Sequence, residues 1–513
     1  MLKRILSKKY YFFCLLLSFF ILMFTSKCSF LYRFNDWVDA NAFFTVGKSM
    51  FNGVVPYKDL FEQKGPILYF IYGIGYLISN KTFLGVFVLE VFSFSIFLYF
   101  AHKIFKMFLE EKYSLILLPI LSLLITTFFA FVHGGSCEEF CLPFYAITIY
   151  YYFKHFKVRP LTNIEVIING VMAGIIMLMK YTSLGLWMGF GLVFLVEKLK
   201  DKKIGEGIKF CLLFLLGMFI PFALVLVYFG INNGIKEFID SYFIFNMFIY
   251  PNAVTMDTLK AASTGKDSNI LAIIKYGNII LFLILFVPLF VSFIKDIKNR
   301  KYFRNGFIVM FILSVTTVFW GLKFMKYYYV PLMSFMIVSL LGLTIYFKKY
   351  IDKIFNSKYS KIILVFIVIL SIFLSYENAN YKKMIKYKKS DYFHFKYAKN
   401  ISKYENPTLL NMGYLDAGLY TVTGIVPNTR FFEVQNISYE KYPDNLDDMR
   451  YNVEHKKIKF ILYYSTDSID DIKEKHNYIF DNYELVYDDA YLFEQYNMKA
   501  YLFKLKNLKE KST

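Results

Sequence analysis

The 513 residues are 57% hydrophobic, 21% aromatic and only 19% charged, an apolar excess that a water-soluble chain has no interior to hide. The formal charge of +20 would suit a nucleic-acid binder, but the basic residues stand in short clusters between apolar blocks, a pattern that fits a bilayer and excludes a basic nucleic-acid-binding face. Five scattered cysteines (Cys14, Cys28, Cys137, Cys141, Cys211) show no disulfide framework and no metal-ligand spacing beyond the weak pair Cys137 and Cys141.

At the N-terminus Lys3, Arg4, Lys8 and Lys9 precede about seventeen mostly apolar residues, long for a signal-peptide core and without a small-x-small cleavage site, because Lys27 and Cys28 follow Ser26. They read as a retained first helix that starts inside. Candidate spans lie at 10–26, 83–101, 113–132, 140–154, 164–179, 183–197, 208–229, 277–294, 306–322, 328–346 and 360–376, about eleven segments near bilayer length. Alternate loops are rich in Lys and Arg, for example Lys103, Lys106 and Lys112, or Lys295, Lys298, Arg300, Lys301 and Arg304, which makes those loops cytoplasmic.

This alternation leaves 27–82, 133–139, 230–276 and the tail from 377 outside. The apolar run 67–78 is too short to span and reads as a re-entrant or interfacial helix. The expected fold is therefore an all-α polytopic membrane domain over 1–376, with a small extracytoplasmic α/β domain over 377–513. The tail shows strand-like runs at 408–412, 458–464 and 500–505 and a polar helical pattern at 468–480. No Gly-rich phosphate loop and no internal repeat occur, so an ATP-driven pump is unsupported.

The first outer loop is the richest in chemistry. Residues 38–51 carry Phe43, Val46 and Met50 at helical spacing, as a surface helix would. Asp36 and Asp39 stand at its start, where interfacial carboxylates suit general-base work; a helix cap is the alternative reading of either. Glu90 lies inside an apolar span with no evident partner in the sequence, and an intramembrane carboxylate is a candidate functional group.

The run Asp39, Phe43, Met50, Gly53, then Pro56, Tyr57 and Asp59, then Lys64 and Pro66 resembles the first extracytoplasmic loop of the GT-C glycosyltransferases. The branch concerned includes protein mannosyltransferases, the aminoarabinose transferase of lipid A and bacterial glycosyltransferase family 39. The resemblance implies transfer of a sugar from a polyprenyl-phosphate carrier to a glycan, lipid or protein acceptor at the outer face of a bacterial plasma membrane. It implies Asp39 as the catalytic aspartate, with Asp36 as the second choice, and Lys64 as a contact to the carrier phosphate, assisted by Lys180 and Lys326. Glu138 and Glu139 match the acidic partner in the second outer loop, and Asp59, Glu62 and Tyr57 are further candidates.

For each of these there is a plainer alternative: Lys64 and Lys180 as snorkelling lysines, Glu138 and Glu139 as compensation of a helix dipole. Relatives that hold a divalent metal carry Glu directly before the Lys, whereas Gln63 stands there here, so no cofactor is certain. The tail run from Asn411 to Tyr420 reads as strand, turn and helix, and its aromatics either meet an acceptor glycan or serve the fold alone. A transporter of lipid-linked sugars and a non-catalytic assembly protein are the rival readings.

Overall fold

The structure, a computed structural model, describes residues 2–250, 279–320, 325–355, 359–493 and 496–511. The first residues of the span expected at 277–294, the last of the one at 306–322 and the outer segment beyond 250 lie outside the described residues. The chain divides into two compact units that interleave in sequence: one holds 1–31, 87–225 and 262–382, the other 32–86, 226–261 and 383–513. Phe61 of the first outer loop and Phe245 pack into the core that the tail forms, and Thr45 and Lys48 join its polar network.

The first unit is helical. Its elements include α1 (Leu2–Thr25), most of α4 (Leu84–Lys106), α5 (Glu111–Thr126), α6 (Cys137–Lys157), α7 (Asn163–Lys180), α8 (Gly185–Lys200) and most of α9 (Ile204–Ile231). Among the described residues, six segments are long and apolar enough to cross a membrane: Lys8–Thr25, Leu84–Phe105, Asn163–Ser183, Ile204–Ile231, Lys326–Tyr346 and Ser360–Glu377. Each exceeds the ~17 residues that a hydrocarbon core of ~30 Å demands, and the chain is a multi-pass membrane protein. The other expected spans coincide with helices that are shorter or more polar. The helix α5 has 16 residues with Pro119 inside, α6 carries Glu138, Glu139, Lys154 and Lys157, and the span at 277–294 is broken between Ile279–Leu285 and Val287–Phe293.

The second unit joins α2 (Val38–Met50) and α3 (Pro66–Ile78) to the tail. At 13 residues α3 is ~20 Å long, too short to span. Pro66 opens it from an extended Gly65 at φ −73° and ψ 146°, the conformation a residue before proline prefers. The two helices cross where Gly47 meets Gly73. A Cβ on Gly47 would lie 2.7 Å from both the Gly73 nitrogen and the Tyr69 carbonyl oxygen, so only glycine allows this approach.

The tail forms a four-stranded sheet of β1 (Leu409–Met412), β2 (Phe460–Ser465), β3 (Tyr483–Phe493) and β4 (Tyr496–Leu505) in the order β1-β2-β4-β3. The β1–β2 pair is parallel and the others antiparallel. Three strands fall at the expected runs, whereas β3 was not expected. Its core also takes Phe61 and Phe245, each centred 5.1 Å from a partner ring. Tyr420 of the strand–turn–helix run is buried, its hydroxyl donating to the Leu409 carbonyl at 2.6 Å, so that aromatic serves the fold.

One face of α2 is bound to the tail by a buried polar network. The Thr45 hydroxyl donates to Asp416 at 2.7 Å, the Thr421 hydroxyl to Asn41 at 2.8 Å, and the Lys48 ammonium to the carbonyls of Tyr420 and Ile425 at 2.8 and 2.5 Å. Burial lowers the Lys48 amine to about 7 and raises the Asp416 carboxyl to about 6. The unfolded chain keeps the lysine proton to pH ~10, so above pH ~7 it binds more protons than the folded chain and stability rises with pH. For Asp416 the folded state holds the extra proton between pH ~4 and ~6, so stability falls as pH rises through that window. These two groups together place a minimum near pH 6 to 7, where both are charged and buried. The double variant Lys48→Met/Asp416→Asn is expected to flatten the curve of melting temperature against pH across that minimum; a curve parallel to wild type would refute the assignment.

Candidate functional site

In the second unit the first outer loop folds back on itself around Lys64. Tyr57 takes the left-handed conformation (φ 69°), its N–H donating to the Leu60 carbonyl at 2.7 Å. This turn buries the Tyr57 ring and sends its hydroxyl to the Lys64 carbonyl at 2.5 Å. On the other side of the same residue, the Lys64 N–H lies 2.9 Å from a Glu62 carboxylate oxygen and 2.9 Å from the Tyr69 hydroxyl, which itself donates to Glu62. The Lys64 ammonium stands 5.6 Å from the centre of the Phe43 ring, within reach of a cation–π attraction. Phe43 follows Asp39 by four residues, so both occupy one face of α2. Asp39 is half-buried there.

The helix cap considered for Asp36 and Asp39 does not form. The cap position is Trp37, with no side-chain hydrogen bond to the helix. Asp36 is buried and accepts from the Tyr491 hydroxyl at 3.1 Å, which commits it to the β3 strand. Asp59 accepts from the Val55 N–H at 2.9 Å, closing the turn that precedes Lys64.

Two further carboxyls, both from the tail, join this cluster. Glu433 accepts from the Asp416 N–H at 2.6 Å and from Gln435 at 3.2 Å. Burial pushes it well above the usual carboxylate range, and the charges of Glu62, Asp416 and Asp39 add to the push. Each is a lone acid in an apolar stretch, and that was the only signal in the sequence.

In the first unit the second outer loop is equally ordered. Ser136 caps α6 by accepting from the Glu139 N–H at 3.1 Å, and its hydroxyl donates back to Glu139 at 3.0 Å. Glu138 pairs with the Lys180 ammonium, which lies 3.7 Å from the centre of the Tyr328 ring. Glu90, which had no evident partner in the sequence, has partners here. The Ser26 hydroxyl donates to it at 2.8 Å, the Gly135 N–H at 2.5 Å, and that N–H is shared with Glu139 at 3.2 Å. Both acids line a small cleft with Leu22, Phe94, Phe131 and Phe140. Lys326 is exposed at the start of the 3₁₀ turn Lys326–Tyr329.

A carboxylate on a helix face and an ammonium brought beside that face by a loop can together accept a proton and neutralise an anion. Among the described residues no group of three or more His, Cys, Asp or Glu is placed to hold a metal ion.

Comparison with known proteins gives two results. The family described as "Putative competence-induced protein Ccs4 N-terminal domain" matches residues 2–385, while no curated protein matches by sequence. Among solved structures, ArnT from Cupriavidus metallidurans bound to undecaprenyl phosphate superimposes with a TM-score of 0.56 at 10% identity, over 97% of this chain and 98% of that one. The apo form of the same protein gives 0.53 at 10% identity, over 98% of both chains. At that identity the likeness is one of fold, and the fold is GT-C.

Proposed function

This chain belongs to the Ccs4 N-terminal domain family, and we propose that it is a membrane glycosyltransferase that moves a sugar from a polyprenyl-phosphate carrier to a cell-envelope acceptor. The observation that carries the reading is that the half-buried Asp39 shares a face of α2 with Phe43, whose ring centre lies 5.6 Å from the Lys64 ammonium, within a fold shared with a protein whose structure holds undecaprenyl phosphate. The alternation of basic loops in the sequence supports a cytoplasmic N-terminus with Asp39 and Lys64 outside.

The reaction is a single displacement at the anomeric carbon with inversion of configuration. The acceptor oxygen forms its bond to carbon as the carbon–oxygen bond to phosphate breaks. The acceptor proton passes to Asp39, and the departing electron pair stays on the phosphate, where the Lys64 ammonium neutralises it. The sugar arrives on its lipid, so no nucleotide need be bound outside.

The test is transfer by the purified protein from a panel of radiolabelled polyprenyl-phosphate pentoses and hexoses to envelope extract. Labelled acceptor is the expected result. No transfer from any donor, together with movement of labelled lipid across the bilayer of reconstituted vesicles, would overturn the enzyme reading in favour of transport.

A further inference from the structure

Lys64 is gripped at its backbone and not only presented by its side chain. Its N–H has two acceptors, Glu62 and the Tyr69 hydroxyl, both at 2.9 Å, and its carbonyl receives the Tyr57 hydroxyl at 2.5 Å. The Tyr69 hydroxyl, giving its proton to Glu62 and taking that of Lys64, closes a three-membered ring of contacts. All three gripping side chains are at most 4% exposed. One side of the grip is set by Tyr57 in its left-handed turn, the other by Tyr69 one turn into α3.

Neither the helix nor the turn needs this arrangement. Pro66 and Gly65 already start α3, and the α2–α3 crossing already fixes its direction. A charged carboxylate with two buried donors costs desolvation energy that apolar residues of the same volume would not. What the ring uniquely holds is the Lys64 peptide, and with it the root of the side chain whose ammonium lies over Phe43.

We propose that Glu62 and Tyr69 are positioning residues that act through Lys64, fixing its backbone so that the ammonium meets the carrier phosphate in one orientation. This rests on the reading of Lys64 as the phosphate contact. Glu62, two residues before Lys64, is thereby assigned to the main chain of Lys64.

The test measures binding of undecaprenyl phosphate in detergent micelles to the full-length protein and four variants. Tyr69→Phe is expected to weaken binding about tenfold, and Glu62→Gln, which still accepts from both donors, to preserve it. Lys64→Ala is expected to weaken binding more, and Tyr69→Phe added to Lys64→Ala to cause no further loss, because the two act as one unit. Melting temperatures of the variants separate loss of folding from loss of orientation.

An equal tenfold loss from Tyr69→Phe in both backgrounds, or none in the wild-type background, overturns the positioning role while leaving Lys64 as the contact. Equal binding by wild type and Lys64→Ala, or no saturable binding by wild type, overturns the reading of Lys64 itself.

Discussion

Asp39→Asn is expected to lower kcat for sugar transfer 100- to 10,000-fold, the range over which a positioned general base contributes, while undecaprenyl phosphate binds as it does to wild type. The amide keeps the size of the carboxylate and its capacity to accept a hydrogen bond, so orientation of the acceptor survives; what it cannot do is take the proton released in the displacement. Asp36 provides the internal comparison. Its carboxylate is buried and accepts from Tyr491, a bond that the carbonyl oxygen of an amide side chain would still accept, so Asp36→Asn should change kcat little and act chiefly on stability. The measurement is kcat and KM for the radiolabelled donor on detergent-purified protein. Wild-type kcat in Asp39→Asn would remove Asp39 from the chemistry. A loss confined to Asp36→Asn would move the base to that residue.

The candidate residues Asp39, Glu62 and Lys64 are close in sequence and share one loop with Phe43, and the resemblance of that loop to the first outer loop of the GT-C glycosyltransferases is what marked them. The spans were legible because apolar blocks of bilayer length announce themselves. What stayed hidden depends on contacts across hundreds of residues. Thr45 meets Asp416 across 371 positions and Lys48 meets Tyr420 across 372, and no local pattern encodes that the first outer loop folds as part of the tail. Glu433 and Asp416 each look, in sequence, like an ordinary acid near a strand. The strand β3 was missed because Glu484, Asp488 and Asp489 break its apolar alternation and a register shift falls between Leu485 and Tyr487. Glu90 gained its partners from Ser26 and Gly135, one 64 and the other 45 positions away.

Gly47→Val is expected to impair the second unit more than any substitution at a charged residue of the site. A Cβ at Gly47 would stand 2.7 Å from the Gly73 nitrogen and from the Tyr69 carbonyl oxygen, both backbone atoms of a packed helix that have no rotamer into which to retreat. Overpacking of this kind costs about 1–3 kcal/mol, and here it falls on the crossing that sets the distance between α2, which carries Asp39, and α3, which carries Tyr69. Two other glycines calibrate the effect. At Gly73 the atoms nearest a new Cβ, at 2.3 Å, belong to the half-buried Phe51 ring, which can turn aside, and a single backbone atom, the Gly47 oxygen, lies at 2.9 Å, so Gly73→Ala should cost less than Gly47→Ala. At Gly53 nothing lies within 4 Å, but φ is +84°, so Gly53→Ala should show only the backbone strain of about 1–2 kcal/mol. Melting temperatures of the purified variants give the order directly. Activity should fall in step with the distortion at Gly47, because Lys64 is held through Tyr69, and should be nearly spared at Gly53. A Gly47→Val protein that melts with wild type and transfers sugar at the wild-type rate would show that the α2–α3 crossing does not set the geometry of the site.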